Sequence, residues 1–419
     1  MICIFSLGCK VNSYESDVLR AELENNNLQV TTKLQKADIY VINTCAVTNE
    51  AERKSRQCIT RVLKLNPCAT VYVMGCASQK NAKQFENCKN VKFITGNKDK
   101  QKIAQLILNK CQQDLRLDDF NISDEYIWHN HAKQSNIRAY IKIQDGCNNF
   151  CSYCIIPYLR GRSRSRQPQD IIDEVKYLEQ QGVKEIVLTG IDMSDYKING
   201  EKALGQLISM LDFYDGRIRI GSLEVGIVTP EFVKTIKNVK NLCPQFHLSL
   251  QSGSDTVLKS MNRKYTTKQY EDAVNLLRQN FVSPAITTDL IVGFPTETEQ
   301  EFQTTFNFIK KIGFAQMHIF PYSNREGTVA SKMYKTLDGK IINNRLEKAE
   351  TLAKQMQTNY IQQNYNKPQR LLIEESINDY FFGYTDNYIK IKTKSKQNIG
   401  QFCNFTLGKD KNFEVILKG

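Results

Sequence analysis

The residues of this chain best suited to hold metal are three thiols packed into eight positions. Cys147, Cys151 and Cys154 lie in the run Asp145-Gly146-Cys147-Asn148-Asn149-Phe150-Cys151-Ser152-Tyr153-Cys154. Spaced Cys-x₃-Cys-x₂-Cys, three thiolates can ligate three irons of a [4Fe–4S] cube and leave the fourth without a protein ligand. An open iron can bind and reduce a substrate, whereas a site of four cysteines mostly passes electrons on. Zinc is the alternative occupant. It normally takes four ligands from paired Cys-x₂₋₄-Cys or His spacings, and no fourth ligand follows nearby.

Cys9, Cys45 and Cys76 form a second candidate set. Each follows an apolar, strand-like run: Phe5-Ser6-Leu7-Gly8-Cys9, Val41-Ile42-Asn43-Thr44-Cys45 and Val73-Met74-Gly75-Cys76. In a parallel sheet the carboxyl ends of strands share one edge, where open α/β folds place their ligands. Gly8 and Gly75 would let backbone approach a bulky inorganic ligand. Three thiols converging there would hold a second cluster, again with one open iron. The seven remaining cysteines (Cys3, Cys58, Cys68, Cys88, Cys111, Cys243 and Cys403) read as small buried hydrophobes, although Cys68 and Cys88 are near enough to Cys76 to act as substitute ligands.

Just past the first motif, Arg160, Arg162, Arg164 and Arg166 occupy every second position. In an extended segment all four project to one side, a strip of guanidinium forks suited to phosphates. A solvated charged loop is the plainer reading. The four histidines (His129, His131, His247 and His318) show no catalytic spacing. Tyr380, Phe381, Phe382, Tyr384 and Tyr388 could offer stacking faces to bases, but interior packing of a small barrel is the expected use.

The elements that position these residues are legible as alternating patterns. Over 1–112, apolar runs Ile2–Leu7, Ile39–Thr44, Thr70–Gly75 and Val91–Gly96 alternate with amphipathic stretches such as Asn12–Glu24 and Asn49–Leu65, predicting βαβ units and a parallel sheet. Residues 113–136 are polar and aperiodic, a linker. From 137 to 364, strands are expected at 138–144, 184–190, 217–223, 245–250, 286–293 and 315–322. Helices are expected at 169–181, 203–213, 230–240, 266–279 and 297–312, with a further one over 340–364. Six βα repeats make a parallel barrel that need not close, with its chemistry at the C-terminal strand ends. Residues 365–419 carry five short β-like runs, Arg370–Glu375, Tyr380–Tyr384, Tyr388–Lys392, Gln401–Leu407 and Phe413–Leu417, predicting a small antiparallel barrel.

Composition narrows the class. At 419 residues the chain has room for two or three cores. Its 57 basic against 44 acidic residues, a formal charge of +13, favour a polyanionic partner such as nucleic acid. No apolar run is long enough to span a bilayer, and the start reads as a strand and not as a signal peptide. Thirteen cysteines without an export signal imply reduced thiols and a cytoplasmic protein.

The Cys147–Cys154 motif, with an aromatic residue before its last cysteine, resembles the radical S-adenosylmethionine (SAM) enzymes. Leu7-Gly8-Cys9-Lys10-Val11-Asn12, Asn43-Thr44-Cys45-Ala46-Val47-Thr48 and Gly75-Cys76-Ala77 are similar to the N-terminal domain of the methylthiotransferases. So are Cys154-Ile155-Ile156-Pro157, Ser249-Leu250-Gln251-Ser252-Gly253 and Gly293-Phe294-Pro295 in the barrel. With a tail resembling a TRAM domain, the likeness covers nearly the whole chain. It implies a Rossmann-like parallel α/β domain, a partial (β/α)₆ radical SAM barrel and a TRAM-like RNA-binding barrel. It also implies two [4Fe–4S] clusters, on Cys147/Cys151/Cys154 and on Cys9/Cys45/Cys76, and SAM bound near Gly190, Gln251 and Gly293. Asp192 stands where many radical SAM enzymes have an acid for the SAM amino group, but the second glycine and the glutamate of that turn are missing.

The Lys10-Val11-Asn12 variant looks most like the branch that acts on N6-threonylcarbamoyladenosine at position 37 of tRNA. A one-electron donor such as flavodoxin or ferredoxin is implied, with no membrane and no stable protein partner. Isopentenyladenosine tRNA and a ribosomal protein are the alternative substrates within the family. Outside it stand a cobalamin-dependent radical methylase, whose Asp-x-His-x-x-Gly signature is missing here, and a non-catalytic iron–sulfur RNA-binding protein.

Overall fold

The computed structural model describes residues 1–98, 100, 102–109, 115–116, 137–333, 337–394 and 397–408. The expected linker 113–136, Cys111, His129, His131 and the expected last strand Phe413–Leu417 fall almost wholly or wholly outside these residues. Among the described residues no helix is long and apolar enough to cross a membrane.

The N-terminal region is a parallel sheet in the order Val30–Thr31, Ile2–Ser6, Ile39–Thr44, Thr70–Gly75, Val91–Ile94, Leu115–Arg116. Its central strands are near-continuous apolar runs because helices cover both faces; from Tyr40 to Thr44 every residue is buried. The helix Asn49–Leu65 has its boundaries as expected. Thr48 caps it by accepting from the Ala51 N–H, and Glu50 and Glu52 complement the positive end of its dipole.

Six parallel strands follow in sequence order: Arg138–Lys142, Glu185–Thr189, Arg217–Ile220 continued by Ser222–Leu223, Gln245–Leu248, Ala285–Val292 and Gln316–Pro321. The third is broken at Gly221, so the ladder falls into sheets of three and four strands joined by the bridge Ile218–Leu242. No bridge links the first strand to the last among the described residues, so the barrel is open. The helix Lys10–Asn25 packs against the first strand there, and Tyr14 and Val18 touch Tyr140. One apolar cluster holds Ile42 and Val73 of the N-terminal sheet and Phe85 of the short helix Lys83–Glu86 together with Ile155 and Leu159, which follow within five residues of Cys154. The two cysteine regions therefore share a core.

The long helix Gly339–Gln363 leads into a four-stranded antiparallel sheet, ordered Lys390–Thr393, Tyr380–Thr385, Pro368–Ile377, Phe402–Thr406. Leu371, Ile373, Ile389, Ile391, Phe405 and Leu407 form its core. Of the five aromatic residues expected inside, only Phe381 packs against that core. Lys392 instead lies over the Tyr380 ring at 3.7 Å and Lys390 over Phe382 at 5.7 Å, while Tyr384 stacks on Tyr388.

Candidate active site

Cys9, Cys45 and Cys76 do come to one sheet edge. Their strands are adjacent and in register, with Asn43 beside both Ser6 and Met74, and Thr44 beside Gly75. Cys9 caps the helix Lys10–Asn25, Cys45 follows the middle strand, and Cys76 opens the short helix Cys76–Lys80. Both glycines have positive φ, but the close approach they allow is to protein. A Cβ on Gly8 would sit 2.5 Å from Cys45 Sγ, and one on Gly75 2.5 Å from the Thr44 carbonyl oxygen. Gly8 thus clears the space in front of the Cys45 thiol. Burial raises the thiols of Cys9 and Cys45, the latter to about 12, and a coordinating metal reverses this by deprotonating a thiol outright. No three described His, Cys, Asp or Glu side chains could hold a single metal ion. A cubane, which presents its irons at separate corners, makes a different demand.

Arg160 is the link between the two cysteine regions. Its Nε lies 3.4 Å from Cys76 Sγ, and its other nitrogens reach Glu15 at 3.0 and 3.1 Å, Asp145 at 3.1 Å and Asn12 at 2.8 Å. Lys142 bonds Glu15 and Asp145, and Lys100 bonds Glu15. Burial opposes the charge on Glu15, but Arg160, Lys100 and Lys142 hold it well below the carboxylate range. Three buried cations thus enclose two carboxylates, and the surplus positive charge faces Cys76. An anionic iron–sulfur cluster on the thiols fits that surplus.

The Cys147–Cys154 loop is held by local hydrogen bonds. Gly146 has a positive φ, and a Cβ there would overlap the Arg162 carbonyl, so the position requires glycine on both counts. Ser152 N–H donates to the Met261 carbonyl, and Asn262 Nδ2 donates to that of Phe150. Cys147 Sγ accepts from the Asn149 N–H at 3.4 Å, and Cys151 Sγ from Arg263 Nη1 at 3.2 Å. Donors aimed at sulfur suit thiolates. Burial pushes Cys154 up to about 12, and Cys147 higher still with Asp192 beside it.

Gln144, which sequence reasoning passed over, ties this loop to the next strand end. Its Nε2 donates to the carbonyls of Asp145 and Gly146, and its Oε1 accepts from the N–H groups of Ile191 and Asp192. Its position at the end of the strand before the motif was the available signal. A Cβ on Gly190 would crowd Met193 and Gln144. Asp192 lies 3.7 Å from Cys147 Sγ, and burial followed by Glu224 and Asp195 raises its carboxyl to about 6. Gln251 has φ +65° and exchanges backbone bonds with Asp289 and Ile291. The space for a Gly293 Cβ is filled by Ile342, 2.8 Å away, so glycine there admits the Gly339–Gln363 helix.

The four-arginine strip does not form. Residues Ile156–Arg160 are helical, and only Arg164 and Ser165 are extended, paired with Asp145 and Gln144. Arg160 is buried as above, and Arg166 is buried in an ion pair with Glu174. Arg164 is half-buried and donates to the Arg160 carbonyl. Arg162 alone is exposed, 4.6 Å over the Phe150 ring.

Inside the barrel is a cavity of about 230 Å³. Lys10 enters it from the N-terminal region, Arg138, Arg219, His247, Asp289 and His318 from the strands, and Tyr388 from the C-terminal sheet. His247 and His318, which show no catalytic spacing in sequence, have their rings 6.3 Å apart, and His247 Nε2 lies 3.3 Å from Asp289. The strands of the two histidines are separated by Ala285–Val292, which carries Asp289, so the rings come together only across the lumen and no local motif announces it.

Comparison with known proteins agrees with this architecture. Residues 141–309 match the family model of the radical SAM superfamily, and residues 1–96 match one described as uncharacterized protein family UPF0004. The solved structure of the radical SAM methyltransferase TsrM from Kitasatospora setae superposes with a TM-score of 0.54 at 15% identity, covering 76% of this chain and 72% of that one. At that identity the likeness shows the fold alone. The fold and its thiol loop define a radical SAM protein, which implies a [4Fe–4S] cluster and SAM.

The threonylcarbamoyladenosine tRNA methylthiotransferase MtaB of Bacillus subtilis (strain 168) is 37% identical over 414 residues, 95% of this chain and 91% of its own. The corresponding protein of Aquifex aeolicus is 36% identical over 94% and 97%. A tRNA-2-methylthio-N(6)-dimethylallyladenosine synthase of Thermoanaerobacter pseudethanolicus is 36% identical over 82% and 76%. The chain belongs to the methylthiotransferase family of radical SAM enzymes.

Proposed function

We propose that this protein adds a methylthio group to C2 of N6-threonylcarbamoyladenosine at position 37 of tRNA. The observation that carries the reading is the buried charge network that ties the two thiol regions, in which Arg160, on the helix after the Cys147–Cys154 loop, reaches Cys76 and also bonds Asp145 at the start of that loop. An adenine C2–H offers no acid–base handle, so radical chemistry is required. Near full-length likeness to proteins named for threonylcarbamoyladenosine supports that base as the substrate.

In this reading Cys147, Cys151 and Cys154 hold the cluster that binds SAM, and Cys9, Cys45 and Cys76 hold a second. When bound, these groups supply the electron, the radical and the sulfur. The chain's own residues position and shield. Gln144 fixes the loop after Gly190 against the first cluster loop, Arg263 supports Cys151, and Arg160 holds the second triad against the first. Gly190 and Gln251 border the SAM pocket. Arg162 offers phosphates a guanidinium beside the thiol loop, and Lys390 and Lys392 over Phe382 and Tyr380 give the C-terminal sheet a cationic surface of its own. A small electron carrier such as flavodoxin or ferredoxin delivers the electron.

Anaerobic reconstitution of the full-length protein tests the two-cluster core of this reading. About eight irons per chain are expected, falling to about four in Cys45→Ala. A wild-type count near four removes the second cluster. Mass spectrometry of tRNA nucleosides from cells with and without the gene tests the product. Unchanged methylthio-threonylcarbamoyladenosine on deletion removes the substrate assignment.

A further inference from the structure

The lumen described above has a use that the cluster chemistry does not account for. Lys10, Arg138 and Arg219 bring three cations to its wall, against the single carboxylate of Asp289. The guanidiniums are satisfied from behind. Both bond the buried Glu185, and Arg219 also donates to the Thr385 and Asp386 carbonyls. Asp289 lies against His247. Lys10 has neither an ion pair nor a hydrogen bond among the described residues, and it is exposed, as His318 is, where the cavity opens to solvent. It is also the residue immediately after Cys9, so whatever meets its ammonium lies within a lysine side chain's reach of the Cys9/Cys45/Cys76 triad.

An exposed ammonium that faces a cavity and has no protein partner is open to a charge-assisted hydrogen bond with an anionic ligand. The cavity is smaller than the ~300–1,000 Å³ that takes a drug-sized ligand, so it suits a substituent and not a whole nucleoside. The two kinds of substrate named for similar proteins differ at this point. A threonylcarbamoyl group on N6 ends in a carboxylate, whereas a dimethylallyl group is a pure hydrocarbon. We infer that the barrel lumen is the pocket for the N6 substituent and that Lys10 binds its carboxylate, selecting an acidic substituent over an apolar one. This rests on the reading that the substrate is an N6-substituted adenosine in RNA. Arg138 and Arg219 add the positive field, His247 and His318 provide polar wall, and Tyr388 forms the part contributed by the C-terminal sheet.

The test compares two anticodon stem-loop RNAs, one carrying threonylcarbamoyladenosine and the other its neutral threonine-amide analogue. Their affinities are measured anaerobically on the reconstituted protein without reductant, and methylthiolation is then followed with reductant. The wild type should prefer the carboxylate RNA by about 10- to 100-fold, the range for a hydrogen bond to a charged group. Lys10→Met should abolish that preference, and Lys10→Arg should retain most of it. Iron content and SAM binding serve as controls for folding. A Lys10→Met protein that keeps the wild-type preference overturns the assignment while leaving the proposed function standing. A wild type that modifies neither RNA, but does modify the dimethylallyl form, overturns the function and the pocket together.

Discussion

Arg160 and Arg162 are two residues apart in one basic run, yet their environments differ completely. Arg160 is almost fully buried, bonded to Glu15, Asp145 and Asn12, with Cys76 Sγ 3.4 Å away. Arg162 is exposed and lies over Phe150. Arg162→Ala should weaken tRNA binding uniformly across sequences and flatten the slope of log affinity against log salt by about one; salt titrations of wild type and variant measure this. An unchanged slope removes the phosphate contact. Arg160→Gln should instead destabilise the fold by roughly 3–5 kcal/mol, since it strips a partner from two buried carboxylates. The alternation of arginines could not separate these fates. Glu15, the deciding partner of Arg160, is 145 residues away in sequence, and burial of a charge is a property of that pairing.

At the scale of elements, much more was legible. The strands Ile39–Thr44 and Thr70–Gly75 and the helix Asn49–Leu65 stand where apolar run and amphipathic stretch placed them. The six barrel strands keep their order because each is a run bounded by turn residues, largely buried in the first five and partly exposed in the last, Gln316–Pro321. The short helices Cys76–Lys80, Lys83–Glu86 and Asp255–Ser260 escaped notice, being too brief to show a helical period. The break at Gly221 was equally silent, because a strand that changes partner keeps its apolar character. The thiol triad was legible as three strand ends, but the role of its glycines was not, since crowding by Thr44 depends on the neighbouring strand. Gly75→Ala tests that crowding. At φ +109° with the Thr44 oxygen 2.5 Å from the new Cβ, the strand end must shift. A cost of about 1–3 kcal/mol is expected, together with loss of iron from the Cys76 cluster and retention of the other. Thermal denaturation and iron counts read both effects, and wild-type values for each would show that the strand end yields without strain.

The molecule as a whole is held by buried charge at both of its junctions. At one, Arg160 and its partners join the N-terminal sheet to the barrel. At the other, Glu185 sits among Arg138, Arg217 and Arg219, and the last two also bond the carbonyls of Tyr384, Thr385 and Asp386 in the C-terminal sheet. Burial alone would raise the Glu185 carboxyl, but Arg219, Arg217 and Arg138 outweigh it and hold it at about 2. A folded-state pKa below the unfolded value means that the unfolded chain binds the proton more readily. The stabilisation is therefore fully present above the ordinary glutamate pKa and is lost as pH falls from there through about 2. A drop from 4.5 to about 2 corresponds to roughly 3 kcal/mol. Glu185→Gln should remove this acid-sensitive contribution and start from a lower stability at neutral pH, with three guanidiniums left short of a carboxylate. Urea unfolding of the apoprotein between neutral pH and pH about 3 measures it without interference from cluster loss in acid. If the variant's stability falls with acid as steeply as the wild type's, the carboxylate at this junction is not its source. If the fall disappears, the attachment of the C-terminal sheet, and with it the Tyr388 wall of the lumen, depends on one buried charge.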